Sequence, residues 1–157
     1  MHDKPQPLIE IGLTAAIVAV EGDEPHILIA GDSARQDGQP ALPYGPFDPL
    51  AHRTFEIGLR AWVEAQTGLR VGYVEQLYTF GDRGRHSRPG DTGPHVVSIG
   101  YLALTRVPDK ADTLEATGAA FERWYRFFPW EDWRGARPRI LDETILPLLE
   151  EWAGHSE

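Results

Sequence analysis

ALPYGPFDPLAHRTFEIGLRAWVEAQTGL, residues 41–69, is the stretch of sequence that decides the fold. Its first part is punctuated by Gly and Pro, which is typical of a loop. Apolar residues then recur at steps of three and four, and this spacing predicts a helix of four to five turns that ends before Gly68. Asp48 or Thr54 can cap the start of that helix. Its buried stripe is predicted to consist of Phe55, Leu59, Trp62 and Val63, with Gln66 beside them.

Strand-like segments surround this helix. Before it, LIEIGLTAAIVAV (residues 8–20) fits one or two buried strands, and HILIAGD (26–32) returns as a hairpin partner after the turn GDEP. After it, residues 71–80 and 95–104 are predicted to pair with each other through the loop between them. Residues 111–125 fit a short helix or a strand. The pattern predicts a mixed α/β fold.

The end of the chain is predicted to be helical over about residues 138–153. Pro147 lies inside this segment and should kink the helix or split it in two. One side of the helix carries Leu141, Ile145, Leu148, Leu149 and Trp152. With 157 residues, the chain can bury one core, so we expect a single domain with its core over about residues 8–137.

The composition excludes several kinds of site. A formal charge of −9 argues against a broad DNA-binding surface, because affinity for nucleic acid comes largely from cations that neutralise phosphates. The absence of cysteine excludes disulfides, thiolate metal sites and a cysteine nucleophile. No apolar run approaches the length that spans a membrane, and the first residues lack a secretory core. We therefore expect a soluble, cytoplasmic protein.

Several motifs resemble those of a known superfamily. EQLYTFGD (75–82) followed by VVSIGYLAL (96–104) resembles the segment after the catalytic helix in Nudix proteins of the ADP-ribose type. HRTFEIGLRAWVEAQTGL (52–69), FFPWEDWR (127–134) and RPRILDETILP (137–147) are similar to the Nudix-related transcriptional regulators of NAD metabolism. The resemblance implies a Nudix-type α/β/α sandwich with a mixed sheet and a C-terminal helix. It also implies a nucleotide ligand related to NAD, such as ADP-ribose or NAD itself. In those regulators a winged-helix DNA-binding domain follows, and this sequence contains none, so DNA contact is expected only through a domain absent from this chain.

The Nudix box, G-x5-E-x7-R-E-U-x-E-E-x-G-U, is degenerate in this sequence. When its Gly-U end is placed on residues 68–69, its Arg-Glu pair and its paired glutamates fall on Ala61, Trp62, Ala65 and Gln66. Hydrolysis of a diphosphate requires hard oxygen ligands that hold Mg²⁺. The resemblance therefore implies a catalytically inactive domain that binds its nucleotide without a metal or another cofactor.

The alternative is an active Nudix hydrolase that cleaves nucleoside diphosphate derivatives with a non-standard set of carboxylates. Such an enzyme would require Mg²⁺ or Mn²⁺. The candidate carboxylates are Glu56, Glu64, Glu115 and Glu122. However, the spacing of Glu56, Arg60 and Glu64 also fits an exposed helix face with ion pairs.

The segment DRGRHSRPGDTGPH (82–95) contains several positively charged side chains, although the chain as a whole is acidic. Arg83, Arg85 and Arg88, with His86, are candidates to bind the phosphates of a dinucleotide, because Arg matches phosphate oxygens with two parallel hydrogen bonds. An exposed loop without a ligand is the other interpretation. His86 and His95 have no acidic or His partner at helical or strand spacing, so no metal site is predicted.

Aromatic residues suggest two further roles. Tyr44, Phe47 and Tyr78 are candidates to stack on an adenine or nicotinamide ring, although Tyr78 also fits ordinary sheet packing. The aromatic residues of the segment that follows are too numerous for a small core, and they suggest a homodimer surface or packing under the C-terminal helix. They are Trp124, Tyr125, Phe127, Phe128, Trp130 and Trp133. A third possibility is a scaffold that associates through this surface and binds no small ligand.

Overall fold

The computed structural model describes residues 8–31, 39–82, 93–108 and 112–154. Within these ranges the strands are β1 Ile9–Glu21, β2 Glu24–Ile29, β3 Tyr44–Pro46, β4 Val74–Phe80, β5 His95–Thr105 and β6 Ala120–Arg123. The α-helices are α1 Phe55–Thr67, α2 Asp112–Thr117, α3 Trp124–Phe127 and α4 Leu146–Gly154. A 3₁₀ turn spans Pro129–Glu131, and a π-helical turn spans Leu141–Ile145.

β1 is the central strand of a mixed sheet. The strand order is β4-β5-β1-β2-β6, and β3 pairs separately with β1. β1 runs parallel to β5 from the pair Ile9 and His95 onward, and antiparallel to β2 and β3. The β1–β2 hairpin turns through two residues, with Gly22 at a φ of 64°, a conformation that glycine adopts without steric cost. The predicted hairpin and the predicted pairing of β4 with β5 are both confirmed.

α1 begins and ends at the residues that its capping chemistry favours. The side chain of Thr54 accepts a hydrogen bond from the Ile57 amide at 3.2 Å, and the helix ends at Gly68, whose φ is 69°. Asp48 instead accepts a hydrogen bond from the Leu50 amide in a separate turn. The helix therefore has 13 residues, and the prediction of four to five turns was too long.

The buried face of α1 differs in part from the predicted stripe. Leu59 and Val63 are fully buried, as predicted, and Gly58 and Thr67 complete the face. Phe55, Trp62 and Gln66 are only half-buried. Trp62 and Gln66 lie along the side of the helix that contacts β3, which the sequence did not reveal as a strand.

The hydrophobic core lies between one face of the sheet and the helices α1 and α2. It joins side chains from β1, β2, β5 and both helices into one cluster. Its members are Leu13, Ala15, Ile17, Leu28, Leu59, Val63, Val71, Ile99, Tyr101, Ala103, Leu114 and Ala119. The mixed sheet with helices packed on it confirms the predicted α/β class.

Two segments that the sequence left open contain more than one element. The segment 111–125 contains both a helix and a strand: α2 is followed by Gly118 at a φ of 71°, and β6 then pairs with β2. The last segment stays helical over residues 139–154 and changes from the π-helical turn to α4 at Leu146, one residue before Pro147, so it is not split in two. However, the predicted apolar side of α4 is not buried, because Leu148 and Leu149 are 59% and 51% exposed. Among the described ranges, no helix combines the length and apolarity needed to cross a membrane.

Gly31 provides a test of this arrangement, because a Cβ atom there would lie 1.7 Å from the backbone oxygen of Thr117. We expect Gly31→Ala to lower the free energy of unfolding by about 1–3 kcal/mol, since the end of α2 would have to move. Gly72→Ala is the matched control: a Cβ there meets nothing within 4 Å, and its effect should stay within about 0.5 kcal/mol. Urea unfolding followed by circular dichroism measures both, and equal midpoints would contradict the packing described.

Candidate functional site

α1 holds the short strand β3 through two side chains. The Gln66 side-chain amide accepts a hydrogen bond from the Tyr44 amide at 3.1 Å and donates one to the Tyr44 carbonyl at 2.7 Å. The Trp62 indole donates to the Pro46 carbonyl at 2.9 Å, and its ring lies where a Cβ of Gly45 would be. Two positions that carry glutamates in a Nudix box are therefore used here to fix a strand.

Strand β3 in turn fixes the aromatic ring of Tyr44. β3 pairs with β1 so that Tyr44 is opposite Thr14, and the ring then lies over Gly12. A Cβ at Gly12 would come within 2.6 Å of this ring, so only glycine leaves room for it. Burial raises the pKa of the Tyr44 phenol, and the charge of Glu10 and a hydrogen bond to Glu10 raise it further. The phenol therefore stays protonated.

The ring of Tyr44 lies on the side of the sheet opposite the core, which we call the Tyr44 face. Alternate residues of a strand share a side, and directly paired residues point the same way. The registers of β1, β3, β4 and β5 place the following residues, among others, on this face: Glu10, Gly12, Thr14, Tyr44, Tyr78, Phe80, Ser98 and Gly100.

The Tyr44 face combines hydroxyl groups with aromatic rings. The hydroxyls of Thr14 and Ser98 are hydrogen-bonded at 3.2 Å in the middle of the face. Tyr78 and Phe80 meet edge to face at 4.9 Å on β4, and Tyr78 is 63% exposed. A flat ring system could stack on Tyr78 while a polar group reaches the half-buried Thr14; Ser98 itself is buried.

The ring-stacking candidates from the sequence are divided between the two sides of the sheet. Tyr44 and Tyr78 share the Tyr44 face, although ordinary packing does not bury Tyr78. Phe47 instead packs against the core, with its ring edge on Phe55 at 4.7 Å. The structure therefore does not bring Phe47 together with the other two.

The cationic candidates Arg83, Arg85, His86 and Arg88 lie outside the described residues. Their segment joins the end of β4 to the start of β5. The start of β5 pairs with the start of β1, next to Glu10. His95, which the sequence analysis considered for a metal site, has one ring nitrogen 3.0 Å from the carbonyl oxygen of Gly81.

The carboxylates considered for hydrolysis lie on three separate elements, α1, α2 and β6. Glu56 binds Arg60 at 2.7 Å, as the four-residue spacing predicts, whereas Glu64 binds Arg70 rather than Arg60. Glu122 binds Arg126 at 2.8 Å, and Glu115 is exposed on α2. In the part of the chain that the structure describes, no group of three or more His, Asp or Glu residues is placed to hold a metal ion.

Arg60 also anchors the segment before β4, because its guanidinium donates to the carbonyls of Val71 and Gly72 at 2.5 and 2.6 Å. A shallow depression of about 290 Å³ lies beside it, lined by Arg60, Glu64, Arg70 and Val71. The arginines of this depression are engaged with Glu56 and Glu64, so it offers little free charge to a ligand.

Comparison with known proteins defines the class of fold. No protein-family model and no curated protein matches the sequence. Among solved structures, the Nudix domain of Shewanella oneidensis NrtR complexed with ADP-ribose is similar, with 18% identity over 80% of this chain and 79% of that chain and a TM-score of 0.62. An Ap4A hydrolase from C. elegans is similar with 11% identity over 81% of this chain and 89% of that chain and a TM-score of 0.56. The chain therefore has the Nudix fold, as predicted.

The resemblance to NrtR extends to a second structure of that protein. It shares 18% identity over 75% of this chain, with a TM-score of 0.59. This chain covers 53% of that structure, so it spans about half of its length. Within the Nudix fold, the chain thus resembles the Nudix domain of NrtR.

Restoring a box glutamate at Gln66 tests the role of its amide. In Gln66→Glu the carboxylate cannot donate to the Tyr44 carbonyl, which now accepts from Gln66 at 2.7 Å, and two acceptors would face each other. We expect a loss of about 1–3 kcal/mol in the free energy of unfolding.

Ala65→Glu is the matched control for this substitution. It restores the neighbouring box glutamate at an exposed position, where a change within about 0.5 kcal/mol is expected. Chemical denaturation of both variants and of the wild type measures these changes in the free energy of unfolding. Equal stability of Gln66→Glu and the wild type would show that the amide does not hold β3.

Proposed function

We propose that this chain is a catalytically inactive Nudix-fold domain that binds an NAD-related nucleotide, ADP-ribose or NAD, as the sensor of a transcriptional regulator of NAD metabolism. The observation that carries the proposal is the use of Trp62 and Gln66 to hold β3. These side chains occupy two box positions whose carboxylates would otherwise bind Mg²⁺, and they fix Tyr44 on the sheet instead.

Binding without a metal follows from the chemistry of α1. The other two box positions are Ala61 and Ala65, which are exposed and offer no oxygen ligand. Mg²⁺ requires several oxygen ligands in near-octahedral geometry, and the carboxylates nearby on α1, Glu56 and Glu64, are engaged by arginines. The proposed domain therefore needs no cofactor.

The Tyr44 face is the proposed binding surface. Its exposed Tyr78 ring offers a stacking surface for a base, and the half-buried Thr14 offers a hydroxyl. Arg83, Arg85 and Arg88, with His86, would bind the phosphates, since their segment leaves β4 just after Phe80. The similarity to a Nudix domain solved with ADP-ribose supports this class of ligand.

A role in a transcriptional regulator would involve DNA and a second copy of the chain as partners. Contact with DNA would require a domain that is not in this chain, as in the regulators that the sequence resembles. A homodimer is expected through the exposed apolar side chains near the C-terminal end, such as Trp133 at 55% and Leu148 at 59% exposure. No contact with a membrane is expected.

Calorimetry with ADP-ribose and NAD, in EDTA and then in Mg²⁺, tests the proposal. We expect binding of at least one ligand that does not require Mg²⁺, and a thermal stabilisation that corresponds to about 2.7 kcal/mol at a ligand concentration of one hundred times Kd. Chromatography of the same samples should recover the ligand intact. Metal-dependent release of a monophosphate would overturn the proposal in favour of a hydrolase.

The arginine-rich segment is tested by substitution. Arg83→Ala and Arg85→Ala should each weaken binding by roughly 1.5–3 kcal/mol, the size of a lost hydrogen bond to a charged group. Arg70→Ala removes the same charge from a site where the arginine side chain is 84% exposed and pairs with Glu64, so it should leave the affinity unchanged. Unchanged affinity in both Arg83→Ala and Arg85→Ala would remove this segment from the site.

A further inference from the structure

The Tyr44 face of the sheet is covered at one place and open at another. By alternation along β1, Val18 lies on this face, and it pairs with Ile27 of β2 and with Leu104 of β5, so these side chains share the face. Ile27 is 4% exposed, whereas Leu104 is 74% exposed. Val20, two residues further along β1, is 62% exposed. The face is therefore covered over β2 and open where β1 and β5 end.

The strands that form this open region have the sequence of covered strands. β1 and β5 run parallel from the pair Ile9 and His95 to the pair Ala19 and Thr105. Parallel strands are normally covered on both faces, and their sequences are then continuously apolar rather than alternating. The segment AAIVAV (15–20) of β1 has this composition. The sequence thus predicts a further layer over the open region, which we call the Leu104 patch. It consists of Val20, Leu102 and Leu104.

The apolar side of α4 is an open surface of the same kind. α4 buries no residue among those that the structure describes. Most of the stability of a helix in a protein comes from packing of its apolar face, so this helix requires a surface to pack on. Leu148 is 59% exposed and Leu104 is 74% exposed, so α4 does not cover the Leu104 patch of its own chain. The exposed apolar residues of the helix are Leu146, Leu148, Leu149 and Trp152.

Opposite charges border these two surfaces. Arg106 is exposed and follows Leu104 by two residues, just after the end of β5. Glu150 is exposed and follows Leu146 by four residues, so it lies beside this residue on the helix. Among the described residues, neither Arg106 nor Glu150 forms a salt bridge. Contact between the two surfaces would therefore pair two charges that now face only solvent.

We propose that α4 of a second copy docks on the Leu104 patch, with its Glu150 next to Arg106, so that two copies exchange their C-terminal helices around a twofold axis. This assignment rests on the homodimer of the proposed function and states which surfaces form it. A twofold axis forms both contacts at once, so each copy covers its own patch and its own helix in a closed dimer.

The docking surface is separate from the proposed nucleotide site. Tyr78, Gly100, Thr14 and Tyr44 lie in one row across the sheet, because each is paired with the next. Leu104 is four residues beyond Gly100 on β5, which corresponds to roughly 13 Å along the strand. The helix therefore covers one end of the face and leaves the rings of Tyr44 and Tyr78 accessible to a ligand.

Cross-linking through introduced cysteines tests the arrangement, since the chain has no cysteine of its own. Leu104→Cys and Leu149→Cys are prepared separately and mixed under mild oxidation. We expect about fivefold more covalent dimer in the mixture than in either variant alone, because only the mixture brings a patch cysteine against a helix cysteine. The control mixture combines Leu149→Cys with Leu50→Cys, a 97% exposed position that precedes α1, and it should form no more dimer than the single variants.

Charge reversal tests the ion pair, with sedimentation equilibrium as the measurement. Arg106→Glu and Glu150→Arg should each raise the dissociation constant of the dimer about tenfold, because each creates two like-charge contacts in a twofold dimer. The double variant should return the constant to within about threefold of the wild type. Glu115→Arg reverses an exposed charge on α2 and is the matched control, which should leave the constant unchanged. Circular dichroism verifies the fold of every variant.

Several results would overturn the assignment. A wild type that stays monomeric up to about 200 µM would remove the dimer, because even weak specific interfaces associate at such concentrations. A covalent dimer of Leu149→Cys alone would indicate that two α4 helices pair with each other. A disulfide within one chain of the double cysteine variant would indicate that α4 folds back on its own sheet. A double charge variant as weak as the single variants would remove the contact between Glu150 and Arg106.

Calorimetry with ADP-ribose and NAD on the same samples separates this assignment from the nucleotide part of the proposed function. A dimer that cross-links as expected and binds neither nucleotide supports the interface and removes the nucleotide ligand. A monomer that binds a nucleotide removes the interface and keeps the ligand.

Discussion

The paired hydrogen bonds between the Gln66 side chain and the Tyr44 backbone are the interaction on which the site depends. An amide can accept and donate at once, and this is what a strand residue needs when its backbone N–H and C=O both face a helix. A carboxylate at the same position could only accept. The replacement of a box glutamate by glutamine therefore exchanges a metal ligand for a structural contact, and the two uses of this position exclude each other.

Much of the fold could be predicted from the sequence. Apolar, strand-like segments predicted β1, β2, β4 and β5, and the spacing of three and four residues predicted α1, because each of these elements is long enough to show its own pattern. The resemblance of EQLYTFGD (75–82) and VVSIGYLAL (96–104) to Nudix proteins then indicated the Nudix fold. In contrast, β3 has three residues, two of them Gly45 and Pro46, and propensity alone predicts a turn there. It is a strand because Trp62 and Gln66 bind it from a distant part of the chain.

The candidate site was also predictable only in part, because it too depends on contacts between distant parts of the chain. Aromatic character made Tyr44 and Tyr78 candidates, but the side of the sheet on which a ring lies depends on strand register, and register could not be obtained from separate segments. Phe47 follows Tyr44 by three residues and packs against the core, on the opposite side of the sheet.

Arg60 and Gln66 have a joint consequence for the geometry of the molecule. Arg60 ties α1 to the carbonyls just before β4, and Gln66 ties the same helix to β3. The two contacts are six residues apart, which corresponds to a rise of about 9 Å along the helix. The helix thus acts as a rigid spacer between the strands that carry Tyr44 and Tyr78. The distance between these two rings is set by this helix together with the strand pairing β3-β1-β5-β4 rather than by loops, so insertions in the connecting loops can change their length without changing that distance.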